Sequence, residues 1–254
     1  MIAAGIDIGS RSIELVLLDG DTVVDQRRED TTFDPLAQCA RLVDGVAWDT
    51  VAATGYGRRL FAERWGGEAI TEIRAHALGA RRHLPAARTV LDIGGQDTKA
   101  IALGDDGRVT KFEMNDRCAA GTGKFLEFMA TGLQVPLAAF GAYALEGAPG
   151  IEISSMCTVF AETEATSLVA KGHAGRDIAR ALHMSVVMRS VAMLRRVGVA
   201  DPVVFTGGVA RNPCIVELMG GMLGVALHVP TAPDAVGALG AALHARARAE
   251  AGAA

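Results

Sequence analysis

Two glycine-rich turns, each following a short apolar run, carry most of the residues in this 254-residue chain whose types and spacing could do chemistry. The first is Gly5-Ile6-Asp7-Ile8-Gly9-Ser10, continuing into Arg11 and Ser12; the second is Val90-Leu91-Asp92-Ile93-Gly94-Gly95-Gln96-Asp97. Glycines after an apolar strand let backbone N–H groups come close to phosphate oxygens and form an anion nest. Asp7 and Asp92, at the strand ends, could hold water on a Mg2+ ion bridging phosphates. Gln96 and Asp97 suit the positioning of an attacking water, with plain loop polarity as the blander alternative. A single Asp-Ile-Gly often just ends a strand. Two in matching contexts point to a nucleotide held between two lobes, with Asp7, Asp92, Gln96 and Asp97 as catalytic candidates.

A second kind of chemistry lies with the cysteines, of which there are four, at 39, 118, 157 and 214. Cys118, in Asn115-Asp116-Arg117-Cys118-Ala119-Ala120-Gly121-Thr122-Gly123, and Cys157, in Ser154-Ser155-Met156-Cys157-Thr158-Val159-Phe160, each precede a helical pattern. A helix N-terminus favours the thiolate through its dipole and unpaired N–H groups. An iron–sulfur cube needs four ligands, and two such cysteines would be half a set. A two-fold dimer would supply the other half, because an isologous contact repeats one patch on both subunits. The alternatives are a small buried hydrophobe or a zinc site, although no histidine sits at ligand spacing. Cys39, in an amphipathic stretch, and Cys214, after Pro213, read as packing residues.

Val203-Val204-Phe205-Thr206-Gly207-Gly208-Val209-Ala210-Arg211-Asn212 reads as a strand running into a Gly-Gly turn before a helix. Such a turn admits an adenine or ribose against backbone, or is simply a strand-to-helix junction. Gly121-Thr122-Gly123-Lys124 is not a phosphate loop of the Walker type: Cys118 stands where a glycine is needed, and Phe125 follows the lysine. No Gly-x-Gly-x-x-Gly opens a helix after a strand, which excludes a Rossmann site.

The elements that must position these residues alternate strand and helix. Ile2–Ile8, Ile13–Leu18 and Thr22–Gln26 read as strands, with Asp19-Gly20-Asp21 as a hairpin. Thr89–Ile93, Thr98–Leu103 and Arg108–Glu113 repeat the order, with Gly104-Asp105-Asp106-Gly107 as hairpin. Asp7 and Asp92 lie 85 residues apart (92 − 7), and the same offset pairs Gly9 with Gly94, an internal repeat of two members. Helical patterns cover Asp34–Val46, Thr71–His83, Gly123–Gly132, Cys157–Lys171, Gly175–Val197 and an Ala-rich Gly237–Ala249, while Val51–Gly57 reads as strand then loop. The expected class is α/β with mixed sheets.

Composition narrows the classes. The formal charge is −4, with arginines scattered, so there is no nucleic-acid footprint. No apolar run is long enough to span a membrane. The start, Met1-Ile2-Ala3-Ala4-Gly5-Ile6-Asp7, has no basic n-region and an acid at its seventh position, which argues against a signal peptide. The expected compartment is the cytoplasm, with reduced thiols.

Taken together, Gly5–Ser10, Ala53-Thr54-Gly55-Tyr56-Gly57-Arg58, Asp92–Asp97, Met114–Gly123, Cys157-Thr158-Val159-Phe160-Ala161-Glu162 and Thr206–Ala210 resemble the ATP-dependent activators of 2-hydroxyacyl-CoA dehydratases and their benzoyl-CoA reductase relatives. These belong to the acetate kinase, actin, hexokinase and heat-shock chaperone superfamily. The resemblance covers nearly the whole chain in order, and the two Cys motifs 39 residues apart (157 − 118) are its most specific part. It implies a two-lobed actin-like ATPase fold, each lobe a mixed β-sheet with helices and its own phosphate-binding hairpin. Lobe I would comprise residues 1–86 with helix 237–254 returning to it, and lobe II residues 87–236. It implies a homodimer holding one [4Fe–4S] cluster through Cys118 and Cys157 of each subunit, with Mg2+ and ATP or ADP between the lobes. Nucleotide contacts would come from Gly9, Ser10, Arg11, Ser12, Gly94, Gly95, Gln96, Gly207, Gly208, Ala210 and Asp234. A reduced ferredoxin or flavodoxin would load the cluster, and ATP would drive one electron into a dehydratase or benzoyl-CoA reductase-like partner. Two departures stand out: Glu14 where the family commonly has lysine, and Asp234 where a polar amide is common. The rival readings are a small-molecule kinase of the same superfamily, with Asn115-Asp116 supplying its base, and a non-enzymatic nucleotide-gated redox sensor.

Overall fold

The computed structural model describes residues 1–153 and 157–252; residues 154–156, quoted above ahead of Cys157, lie outside the described residues. The chain runs β1 (Ile2–Ile8), β2 (Ser12–Asp19), β3 (Thr22–Asp30), α1 (Pro35–Leu42), β4 (Thr50–Gly55), α2 (Arg58–Trp65), β5 (Glu68–Ala69) and α3 (Glu72–His83). It continues through β6 (Thr89–Ile93), β7 (Thr98–Leu103), β8 (Val109–Asn115), α4 (Gly123–Gly132), α5 (Leu137–Leu145), α6 (Thr158–Ala170) and α7 (Gly175–Val197). It ends with β9 (Val203–Thr206), α8 (Pro213–Leu223), β10 (Leu227–His228) and α9 (Val236–Gly252), with short 3-10 turns at Gly208–Arg211 and Pro233–Ala235.

The repeat extends beyond the hairpins. One sheet has the order β3-β2-β1-β4-β5 and the other, read in the matching direction, β8-β7-β6-β9-β10. In each, the first three strands are antiparallel and the fourth joins the first in parallel. Both sheets are mixed and flanked by helices, the α/β class expected.

Alternation in β1 explains how its sheet is covered on both faces. Ala4, Ile6 and Ile8 pack with Ile13, Leu15 and Leu17 against Cys39, Leu42 and Phe61 of α1 and α2. Ala3, with Val16 and Leu18, packs against Ala238 and Ala242 of α9. Gly5 brings that helix still closer, since a Cβ there would collide with the backbone of Ala238 and Ala242. Alanine-rich sequence in α9 is therefore what a close approach to the sheet demands. Around the second sheet, Leu91, Ile93 and Phe205 join Phe125, Phe140, Leu182, Val186 and Ile215 in the largest core.

Two helices carry no readable stripe: α2 buries only Phe61 among charged residues, and α5 is apolar almost all round. α8, the helix that follows the Gly-Gly turn, starts at Pro213 with Asn212 as its cap. β3 also runs on to Asp30, past the expected end at Gln26, because Arg28 and Asp30 continue the pairing with Glu14 and Ser12. Among the described residues no single helix is long and apolar enough to cross a membrane.

Candidate functional site

The two turns are closed by the same bond. Gly9 N–H donates to the Ser12 carbonyl and Gly94 N–H to the Asp97 carbonyl, both over 3.0 Å. Each lies beside a parallel strand that ends in Thr-Gly: Asp7 is level with Thr54, and Asp92 with Thr206. Gly55 and Gly207 have φ of +84° and +83°, where a side chain is strained. A Cβ on either would also collide with the carbonyl oxygen of Ile8 or Ile93. The glycines thus let the parallel strand press against the carboxylate-bearing one. The Thr206 hydroxyl donates to Asp92 Oδ1 over 2.9 Å, whereas the matching Thr54 hydroxyl is buried without a hydrogen-bond partner. The recurrence of Thr-Gly at 54 and 206 was the unread signal for this second half of the repeat.

Between the turns lies a cleft of about 1110 Å3. It is lined by Asp7, Gly9, Ser10, Arg11 and Ser12 from the first turn, by Asp92, Gly94, Gly95, Gln96 and Asp97 from the second, and by Gly207, Gly208 and Asp234. Ala210, expected at the nucleotide, does not line it; the residue is buried in the core behind the 3-10 turn.

Residues that sequence reasoning missed set the electrostatics. The Lys99 ammonium is buried between Glu72 Oε2 at 2.7 Å, Asp97 Oδ1 at 2.8 Å and Asp92 Oδ2 at 3.2 Å. Burial alone would lower the lysine pKa, but the three carboxylates raise it above its ordinary value, so it stays charged. Burial likewise pushes Asp92 up, and this is outweighed by His76, Lys99 and the Thr206 hydroxyl, which hold it below the usual carboxylate range. Asp7 is in the opposite state. Burial, then the charges of Glu72 and Glu14, push its carboxyl well above its ordinary value. Its nearest ion-pairing group is His76 Nε2 at 4.0 Å, and His76 also reaches Asp92 at 3.5 Å through Nδ1. Asp97 is tied to Lys99 and accepts from the Tyr56 hydroxyl over 3.2 Å, while Gln96 is exposed to the cleft. Tyr56 itself is pushed up to about 12, first by burial and then by Asp97.

Opposite Asp7 on the neighbouring strand, Glu14 also faces its other cross-strand partner Arg28, with Oε1 3.4 Å from Arg28 Nε. Arg28 also lies 3.6 Å from Asp234, which pairs more tightly with Arg211 at 2.6 Å. Arg28 thus supplies positive charge next to the position where resemblance led one to expect a lysine.

Cys118 and Cys157 are both exposed and lie outside the cleft lining; Cys39 and Cys214 are buried, and burial pushes each of those thiols up to about 11. Cys157 caps the N-terminus of α6, and Cys118 sits in the turn before Thr122, the cap of α4. The Asn115 amide holds that turn: Nδ2 donates to the Cys118 carbonyl over 2.8 Å, and Oδ1 accepts from the Cys118 N–H over 3.2 Å. Three further bonds tie the same segment to the second turn. Gly123 N–H donates to Gly94 O at 2.9 Å, Lys124 N–H to Gly95 O at 2.8 Å, and the Thr98 hydroxyl to Gly121 O at 2.9 Å. Beside Cys157, Val159 and Phe160 present apolar side chains that are 62% and 67% exposed.

A family model described as the BadF/BadG/BcrA/BcrD ATPase family matches residues 4–245. The chain is 40% identical to the activator of lactoyl-CoA dehydratase of Anaerotignum propionicum, over 96% of this chain and 97% of that one. Its fold superposes with a TM-score of 0.91 on the activator of the 2-hydroxyisocaproyl-CoA dehydratase from Clostridium difficile with bound ADPNP, at 37% identity and covering 99% and 97% of the two chains. A glucokinase of the ROK family from Streptomyces griseus shares the fold alone, with a TM-score of 0.63 at 14% identity, covering 97% of this chain and 100% of that one.

Proposed function

The chain belongs to the BadF/BadG/BcrA/BcrD ATPase family, and from that premise we propose that it is a cytoplasmic, homodimeric activator that couples ATP hydrolysis to electron transfer into a 2-hydroxyacyl-CoA dehydratase or a related acyl-CoA reductase. A reduced ferredoxin or flavodoxin is its electron donor. The observation that carries this reading is the hydrogen-bonded continuity between the Gly94-Gly95 turn and the Cys118 segment. Whatever displaces the turn displaces the segment bearing the thiol, which is the coupling an ATP-driven electron carrier needs.

The cleft residues divide the work. The Gly9 and Gly94 N–H groups close the turns, and the N–H groups of the residues that follow them face the phosphates of a nucleotide held between lobes 1–86 and 87–236. Asp7, whose charge is poorly compensated, fits a Mg2+ ion through bound water, whereas Asp92 already has Lys99 as its counter-charge. Gln96, exposed at the cleft, orients the attacking water; Asp97 is committed to Lys99 and Tyr56 and holds the turn. Gly207 and Gly208 let the adenosine lie against backbone.

The thiols fit a shared iron–sulfur cluster. Such a cluster takes four thiolates, and each chain exposes two. Among the described residues no group of three or more His, Cys, Asp or Glu could hold a metal within one chain. A second copy packed over Val159 and Phe160 would complete the set and cover apolar surface in one step. When bound, the cluster supplies a one-electron store. What this chain contributes is the Asn115 clamp on Cys118 and the helix N-terminus at Cys157.

A kinase would need Asn115-Asp116 at the nucleotide. These residues line a separate hollow of about 370 Å3, and both side-chain atoms of the Asn115 amide are spent on Cys118. The deciding assay combines anaerobically purified chain, Mg-ATP, a low-potential reductant and a 2-hydroxyacyl-CoA dehydratase. ATP-dependent activation is expected, slowed in Asp7→Asn and in Gln96→Ala. Activation without ATP, or a colourless monomer that phosphorylates a sugar, would overturn the proposal.

A further inference from the structure

One carboxylate oxygen in the cleft serves two cations. Glu127 Oε2, on α4, lies 2.7 Å from Arg11 Nη1 of the first turn and 3.4 Å from Lys124 Nζ. All three residues line the cleft. The cations are half exposed, at 48% and 53%, and the glutamate less so, at 29%. The arrangement spans the two turns where they face each other: a Cβ on Gly95 would lie 2.6 Å from the Arg11 Cβ, and the Lys124 N–H donates to the Gly95 carbonyl. From this geometry we infer that Arg11, Lys124 and Glu127 together distinguish a nucleoside triphosphate from a diphosphate. The inference rests on the cleft's being the nucleotide site, as proposed above.

The physical argument is one of competition. A terminal phosphate between the turns brings more negative charge and more acceptor oxygens than one carboxylate, and it offers them to an arginine in a forked geometry. It therefore draws Arg11 and Lys124 away from Glu127. A diphosphate places no group there and leaves the bridge intact. The bridge matters because of what α4 hangs from. Its first residues are bonded to Gly94 and Gly95, and the loop before it carries Cys118. Loss of the Arg11 strut frees α4 from the first turn while the second turn keeps hold of it. Lys124 and Glu127 are thus specificity-determining residues that also report nucleotide state to the thiol segment.

Titration calorimetry with Mg2+ and either ADP or the non-hydrolysable imido analogue of ATP tests this on the whole chain. Glu127→Gln removes the competitor and should tighten the analogue about two- to fivefold, the size of a half-exposed ion pair. Lys124→Met should weaken the analogue about tenfold or more, as expected for a lost charge-assisted contact. Neither should move ADP affinity by more than about twofold, since the diphosphate does not reach the bridge. Parallel shifts for both nucleotides, or no shift for either, would overturn the sensor while leaving the cleft assignment standing. Wild-type chain that binds neither nucleotide would overturn both. Should Glu127→Gln prove unstable, Lys124→Met, half exposed, decides alone.

Discussion

The backbone N–H of Gly123 donates to the carbonyl oxygen of Gly94 over 2.9 Å, so the helix that follows Cys118 begins on the second phosphate-type turn. Hydrogen bonds of this kind are short and directional, and three of them act on the short run from Gly121 to Lys124. A nucleotide bound at the turn and a metal bound at the thiol would then share one mechanical element rather than communicate across the fold.

Thr98→Val removes the hydroxyl that bonds Gly121 and keeps the side-chain shape. The change should lower ATP-dependent activation of a dehydratase about three- to tenfold, the worth of one internal hydrogen bond. Nucleotide affinity should stay near wild type, because Thr98 does not line the cleft. Activation and calorimetry measured side by side check this; an equal loss in both would mean the bond merely supports the turn.

Glu14 carries a pH signature. It is only 3% exposed, and burial pushes its carboxyl from 4.5 up to about 7. Between those values the folded chain keeps a proton that the unfolded chain releases, so stability falls as pH rises through the window. The difference amounts to on the order of 3 kcal/mol. Glu14→Gln should flatten that slope, as read from urea unfolding at about pH 5 and about pH 8. An unchanged slope would show that Arg28 already compensates the charge.

Lys99 is the sole ammonium described among three carboxylates, the buried Asp92 and Asp97 and the partly buried Glu72. Lys99→Met should leave Glu72, Asp92 and Asp97 repelling one another and destabilise the fold by about 3–5 kcal/mol. Chemical denaturation measures this directly. A loss below about 1 kcal/mol, the level of a surface pair, would mean water reaches the cluster.

How much of this was legible depends on the range of the interactions. The hairpins could be read because Asp19-Gly20-Asp21 and Gly104–Gly107 act locally, and Asp-Ile-Gly recurs at a fixed offset. Thr71–His83 was readable because Thr71 caps the helix from its own sequence neighbourhood. α5 was not, since Leu137–Leu145 is apolar on nearly every side and shows no periodic face. Nor could the ion cluster be foreseen, because Glu72, His76 and Lys99 meet only when α3 crosses the end of β7. The cleft residues were legible at the turns, where glycine spacing is diagnostic. Ala210 lies outside the cleft lining because the 3-10 turn buries it in the core, a detail that no spacing encodes.

Iron content and native mass of the anaerobically purified chain test the central claim most directly. A pair of chains carrying about four irons is predicted, with the iron lost in Cys118→Ala and in Cys157→Ala while ADP binding persists. Wild-type iron in either variant, or a full complement on a single chain, would contradict it.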